Sequence, residues 1–250
     1  MTLLDRKVAI ITGASSGIGR AAALLFAQQG APVVLVARRE AALESVAESI
    51  RARGGRAAIV AGDVCEEGTH RRAVAVACET FGGLHIAFNN AGLVGTMQPL
   101  ADLTPQDWSQ ALAVNLTAAF LGARAQIPAM LEQGGGALVF TGSFVGNSAG
   151  LPGMSAYGAA KAGLLGLVRG ITADYGAQRI RANALLPGGT VTGMAGDGDQ
   201  QAWAASLHAM KRIAQPEEIA QAALFLASDM ASFVTGSALW ADGGNAAVKL

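Results

Sequence analysis

Val8-Ala9-Ile10-Ile11-Thr12-Gly13-Ala14-Ser15-Ser16-Gly17-Ile18-Gly19 carries an apolar, β-rich run straight into a glycine turn. A helix-period segment follows from Gly17 to Gln29 and stops at Gly30. Each glycine has a physical use at such a junction. Gly13 permits the tight turn, Gly17 lets a phosphate approach the backbone, and Gly19 permits close packing of helix on sheet. The helix N-terminus presents unpaired N–H groups to an anion. Glycine triplets also occur in ordinary turns, so the weight comes from their placement between a strand and a helix.

The same alternation continues outward. Strands are predicted at Val33 to Val36, Ala57 to Ala61, Leu84 to Phe88, Ala137 to Thr141, Ile180 to Leu186 and Ser237 to Ala241, separated by helices at Glu40 to Arg53 and Thr69 to Phe81. Thr104-Pro105 supplies an N-cap and first-turn proline for one long helix to about Glu132, and a second long helix runs from about Ser155 to Tyr175. From about Gly189 to Ala214 the period is lost, which predicts a mobile loop with a short helix, able to act as a lid. Pro216 to Ala227 is a further helix. Strands and helices in this order predict a parallel sheet in an α/β fold, and no repeat or linker divides residues 1–250, so a single domain is expected.

Composition narrows the function. Hydrophobic residues make up 52% of the chain and charged residues 14%, which suits a buried parallel sheet and excludes extended disorder. Lys plus Arg and Asp plus Glu number 18 each, so no overall field favours nucleic acid or an anionic membrane, and any anion site must be local. Cys65 and Cys78 lack metal-ligand spacing, and no signal region or membrane-length apolar run is read, so a cytoplasmic location is expected. His70, His85 and His208 show no spacing for zinc or a Ser-His-Asp arrangement, and surface or structural roles are expected of them. Asp197 and Asp199 read as flexible loop residues, and no metal centre is expected.

The glycine spacing differs from G-x-G-x-x-G and resembles that of the short-chain dehydrogenase/reductase family, T-G-x-x-x-G-x-G. Further matches fall in order: Asn89-Asn90-Ala91-Gly92 after the fourth strand, Asn115 in the long helix, Ser143 ahead of Tyr157-Gly-Ala-Ala-Lys161, and Pro187-Gly188 after the sixth strand. This resemblance spans nearly the whole chain. It implies a doubly wound, Rossmann-type three-layer fold on a seven-stranded sheet, with an NAD(P) cofactor. Its cofactor contacts would include Gly13, Ser15, Ser16, Gly17, Ile18 and Gly19, with Asp63 and Val64 beside the adenine. Asn89, Ala91, Gly92, Tyr157, Lys161, Pro187, Gly188, Thr190 and Thr192 complete the implied set.

The end of the second strand bears on which cofactor. An acid there would accept hydrogen bonds from a ribose 2′-hydroxyl, but the stretch reads Val36-Ala37-Arg38-Arg39. Two guanidinium groups favour a 2′-phosphate, so NADP is expected and NAD is the alternative. Ser16 adds no basic residue to the glycine loop.

Tyr157 and Lys161 are four apart on a predicted helix and share one face. Holding a phenolate near pH 7 requires about three pKa units, or roughly 4 kcal/mol. A lysine charge about 4 Å away supplies roughly that at an effective dielectric of about 20. Desolvation of both groups opposes it, and the positive ring of the oxidised cofactor would help. Tyr157 would exchange the proton of the substrate oxygen and Ser143 would hold that oxygen. The resemblance also implies that Lys161 binds the nicotinamide ribose and that Asn115 anchors a water linking Lys161 to solvent. Taken singly, each residue has an ordinary reading as a helix or post-strand polar group.

The segments Leu93 to Gln98, Phe144 to Met154 and Val191 to Met210 are expected to build the substrate pocket. They carry no Arg or Lys clamp, so a neutral ketone, aldehyde or secondary alcohol is expected. Small residues on the long helices, among them Ala111, Ala118, Ala159, Ala160, Gly163 and Gly166, together with the family's habit of pairing these helices, suggest a homotetramer. The rival functions are an NAD-dependent alcohol dehydrogenase, an epimerase or dehydratase using transient hydride transfer, and a nucleotide-binding regulator without turnover.

Overall fold

The structure, a computed structural model, describes residues 2–248; Met1, Lys249 and Leu250 lie outside the described residues. Seven strands, β1 (Ala9–Thr12), β2 (Val33–Ala37), β3 (Ala57–Ala61), β4 (Ile86–Asn89), β5 (Gly136–Thr141), β6 (Ile180–Pro187) and β7 (Ala238–Ala241), form one sheet. Every pairing is parallel and the order is β3-β2-β1-β4-β5-β6-β7. The winding direction reverses between β1 and β4, where open α/β sheets leave a crevice at their C-terminal edge. This is the doubly wound, Rossmann-type fold.

Strand residues alternate between two cores, as the two-residue period of a strand requires. Ile11, Leu35, Phe88, Val139 and Leu185 pack beneath α1 (Gly17–Gln28), α2 (Glu40–Arg51) and α8 (Pro216–Ala227). Ile10, Val34, Val36, Leu138 and Phe140 face α3 (Glu67–Phe81), α5 (Ala118–Glu132) and α6 (Ser155–Tyr175). Helix α2 shows the logic most plainly: Leu43, Val46, Ala47 and Ile50 recur at helical spacing and all are buried. No helix among the described residues is long and apolar enough to cross a membrane.

Three sequence expectations change. Helix α3 begins at Glu67, two residues ahead of Thr69. The long helix from Pro105 is not continuous: α4 (Pro105–Leu112) passes through a π turn at Ala113–Thr117 before α5 begins. The cause is non-local, because Asn115 in that turn bonds the backbone of Leu93, and single-turn π segments collect at functional sites. The short helix expected between residues 189 and 214 is α7 (Gly198–Ser206), but Asp197, read as a flexible loop residue, caps its start by accepting from the Gln200 N–H at 3.0 Å. Asp197 is therefore a helix cap, not a free loop carboxylate.

The small residues of the long helices are divided in use. Ala111, Ala118 and Ala160 are buried within the fold, and a Cβ on Gly163 would come within 2.8 Å of Leu116. Trp108 and Phe120 stay exposed on α4 and α5.

Candidate active site

The turn after β1 is closed by glycine. Gly13 has φ +69°, and a Cβ there would lie 2.9 Å from Asn90 Nδ2 and 3.1 Å from Ala91 Cα. A Cβ on Gly19 would run into the Gly13 carbonyl oxygen, so the helix start folds tightly onto the turn. Thr12 then ties the turn to the next strand: its hydroxyl oxygen accepts from the N–H groups of Asn90 at 2.9 Å and Ala91 at 3.0 Å. Thr141 Oγ1 in turn donates to Asn90 Oδ1 at 3.0 Å, which joins the ends of β1, β4 and β5.

A cavity of about 480 Å³ opens over these ends, within the range of small-molecule and cofactor sites. Of the residues expected at the site, Gly13, Ser15, Ser16, Gly17, Ile18, Arg38, Arg39, Asp63 and Val64 line one end. Ala91, Gly92, Asn115, Tyr157, Lys161 and Thr192 line the rest. The chain thus brings a phosphate-sized turn, two cations and a tyrosine-lysine pair into one space. A dinucleotide fits this set: the glycine turn leaves backbone room for phosphates, and Arg38 and Arg39 are exposed and form no ion pair among the described residues.

Other expected residues lie outside that cavity. Gly19 is buried against the turn and acts by packing. Asn89 points into the fold, where it forms a reciprocal amide pair with Gln126 at 2.9 and 3.1 Å; its neighbour Asn90 lines the cavity instead. Pro187 is the last residue of β6, and Gly188 and Thr190 belong to the turn after it, with Thr190 Oγ1 donating to the Gly188 carbonyl at 3.1 Å. Ser143, just past β5, is buried and its oxygen accepts from the Val145 N–H at 3.1 Å.

Elsewhere in the cavity lining, α6 sets Tyr157 and Lys161 one turn apart. Lys161 is 3% exposed, and its Nζ lies 5.7 Å from the centre of the Tyr157 ring. The ammonium donates to the Thr141 carbonyl at 2.7 Å. Burial lowers the Lys161 pKa to about 8. Burial raises the Tyr157 phenol, and its hydrogen bond with Ser143 pulls in the other direction. Desolvation therefore outweighs the Ser143 hydrogen bond here, and the phenol keeps its proton at neutral pH.

Asn115 builds the wall beside them. Its Nδ2 donates to the carbonyls of Leu93 at 2.9 Å and Ala111 at 3.0 Å, and its Oδ1 accepts from Leu93 N–H at 3.1 Å. A Cβ on Gly92 would come within 2.9 Å of Asn115 Oδ1 and 3.2 Å of Lys161 Nζ, so only a glycine leaves both groups in place. A second cavity of about 10 Å³, close to the room one water needs, is bordered by Asn115, Lys161, Thr141 and His70.

Several contributors escaped the sequence reading. Gln110 and Val114 line the cavity, and their i, i+4 spacing on the long helix was the available signal. Asn147 Nδ2 donates to the Ser143 carbonyl at 2.9 Å and fixes the loop after β5. Of the surface or structural roles expected for the histidines, buried His70 and His208 take the structural one; His70 Nε2 lies 2.8 Å from the Val64 carbonyl and steadies the loop after β3.

A family model described as Enoyl-(Acyl carrier protein) reductase matches residues 13–246. The chain is 42% identical over 239 residues to a cyclohexanol dehydrogenase of Acinetobacter sp. (strain SE19), covering 96% of this chain and 94% of that protein. It is 41% identical to a 2,5-dichloro-2,5-cyclohexadiene-1,4-diol dehydrogenase of Sphingobium indicum (strain DSM 16412 / CCM 7286 / MTCC 6364 / B90A), covering 99% of this chain and all (100%) of the relative. Carveol dehydrogenase from Mycobacterium avium, solved in complex with NAD, superposes with a TM-score of 0.94 at 29% identity, over 98% of this chain and 99% of that one. Matched by that family model over residues 13–246 and by relatives that cover nearly its whole length, the chain belongs to the short-chain dehydrogenase/reductase family of oxidoreductases.

Proposed function

We propose that this protein transfers a hydride between NADP(H) and a neutral cyclic secondary alcohol or its ketone, with Tyr157 as the acid/base. The observation that carries the reading is one cavity lined by the Gly13 to Gly17 turn, by Arg38 and Arg39, and by Tyr157 with Lys161. The nicotinamide, when bound, supplies or takes the hydride.

The chain's own residues handle the oxygen and its proton. In reduction the Tyr157 hydroxyl gives its proton to the carbonyl oxygen, and in oxidation it takes the proton back. Ser143 holds the same oxygen by hydrogen bonding. Lys161, with a pKa of about 8, is still mostly protonated at neutral pH and lends its charge to the phenol side. Asn115 keeps the Leu93 wall of the site in place.

Arg38 and Arg39 support the phosphorylated cofactor, because guanidinium groups bind a phosphate through several charge-assisted donors. Support for a cyclic substrate comes from the relatives' own activities and from a wall of Leu93, Val114 and Met194 with Gln110 as a neutral polar group. Among the described residues only Lys161 brings a cation to that end, so a carboxylate has no separate clamp there.

The exposed Trp108 and Phe120 on α4 and α5 support assembly as a homotetramer, which light scattering at micromolar protein tests. The unpaired thiols Cys65 and Cys78 suit a reducing compartment such as the cytoplasm. The cofactor assignment is tested by titrating both reduced nicotinamides and following protein fluorescence. Tighter binding of NADPH is the expected result, and tighter binding of NADH overturns the assignment.

A further inference from the structure

His208 stands just past the end of α7 and is 2% exposed. Both ring nitrogens are engaged. Nδ1 lies 2.6 Å from the Ala204 carbonyl, and Nε2 lies 2.9 Å from the backbone nitrogen of Gly189. A carbonyl can only accept and an amide N–H can only donate, so Nδ1 must carry the hydrogen and Nε2 must be bare. The partners force one tautomer of a neutral ring.

The ring joins three parts of the site. Ala204 belongs to α7, and Gly189 belongs to the turn after β6. The third is Phe144, next to Ser143, which meets the imidazole edge-on with centres 6.1 Å apart. The fit leaves no room for side chains: a Cβ on Gly188 would run into Nε2, and one on Gly189 would lie 3.2 Å from Cε1. Between the two anchored ends, Thr192 and Met194 line the main cavity.

We propose that His208 is a positioning residue, a neutral Nδ1-protonated latch that holds the α7 segment closed on the Gly188-Gly189 turn and thereby shapes the substrate side of the cavity. The part concerning substrate rests on the oxidoreductase reading above; the latch itself does not. A second proton would place an Nε2–H against the Gly189 N–H, and the latch would open.

The charged groups around the ring do not supply an alternative switch. A cavity of about 270 Å³ beside it is also lined by Asp242, Arg212 and Glu218. Asp242 is held in its own turn by the N–H groups of Gly244 at 3.0 Å and Ala246 at 2.8 Å. Arg212 and Glu218 pair with each other at 2.7 Å. Lys211 donates to the Ser206 carbonyl at 3.1 Å, while Asp197 and Asp199 sit at the far end of α7.

Hydrogen exchange over residues 198–206 and nitrogen-15 spectra of the imidazoles test the proposal in the ligand-free protein. The wild-type ring is expected to show a protonated Nδ1 and a bare Nε2 at neutral pH. His208→Phe, which keeps a ring but neither donor nor acceptor, should speed exchange of α7 about tenfold relative to β1 and β4. In His208→Gln, which keeps an acceptor for the Gly189 N–H, the ratio should return toward the wild-type value. With substrate, His208→Phe should raise KM while kcat changes far less, and His208→Gln should lie closer to the wild type. An Nε2-protonated tautomer overturns the proposal even if a variant fails to fold. So does α7 exchange in His208→Phe equal to the wild type, or equally fast in both variants. Absence of turnover alone would instead count against the oxidoreductase reading, since the exchange and ring spectra need no substrate.

Discussion

Lys161 donates from its buried Nζ to the Thr141 carbonyl at 2.7 Å, so the helix that carries Tyr157 is anchored to the end of the strand that leads to Ser143. The hydrogen bond satisfies one of three ammonium donors, and burial still lowers the pKa from its ordinary 10.5 to about 8. This has a signed consequence for stability. Between those two values the unfolded chain holds the proton and the folded chain releases it, so stability rises with pH. The burial penalty is complete below about pH 8 and fades above it. Tyr157 has the opposite sign, because its raised phenol loses stabilisation only as pH climbs past its ordinary 10. From about pH 8 to about pH 9.5, the wild type should therefore gain on Lys161→Met, within a full span on the order of 3 kcal/mol. Denaturant midpoints of the two ligand-free proteins check this; parallel pH profiles contradict it.

The two reaction directions should separate with pH. The phenol is pushed upward by burial, so its proton is available for reduction at neutral pH and must be removed before oxidation. Oxidation should speed up as pH rises, while reduction holds and then falls. Initial rates in both directions across an alkaline series test this, and an oxidation rate that falls with rising pH counts against Tyr157 as the base.

Asn115 should matter to the fold as well as to turnover. Replacing it with Leu leaves both Leu93 backbone groups and the Ala111 carbonyl without their amide partner. Each buried polar group left unpaired costs about 1–3 kcal/mol. The expected result is a melting temperature lower by several degrees, with added hydrogen exchange centred on Leu93. A variant as stable as the wild type would show that the π turn does not depend on this bond.

Arg38 and Arg39 should discriminate between cofactors. Replacing both with Ala removes the exposed cations from the Ser15-Ser16 end of the cavity. Charge-assisted bonds are worth about 1.5–3 kcal/mol each, so NADPH binding should weaken at least about tenfold and NADH binding far less. Equal weakening of both would remove the arginines from 2′-phosphate recognition.

Much of this arrangement was legible in the sequence because it is local. The period of Leu43, Val46, Ala47 and Ile50 announced α2, and the strand-turn-helix around Gly13 announced the site's floor. Tyr157 and Lys161 needed only a helix between them to share a face. What stayed hidden depends on partners far along the chain. Asn115 bends its helix through Leu93, 22 residues away, and His208 is buried by Gly189, 19 residues away. Asn89 and Asn90 are adjacent, yet strand alternation sends the first toward Gln126 and the second to the cavity. No local pattern distinguishes them.

The central claim is tested most directly by tracing the hydride. The protein is incubated with cyclohexanone and NADPH deuterated at the transferring C4 position, and the product alcohol is analysed by mass and NMR, alongside Tyr157→Phe. The account predicts deuterium on the carbinol carbon with wild-type protein and product formation about 10²- to 10⁴-fold slower with the variant, the usual range for loss of a general acid. Turnover in Tyr157→Phe equal to wild type, or alcohol formed without the label, would contradict it.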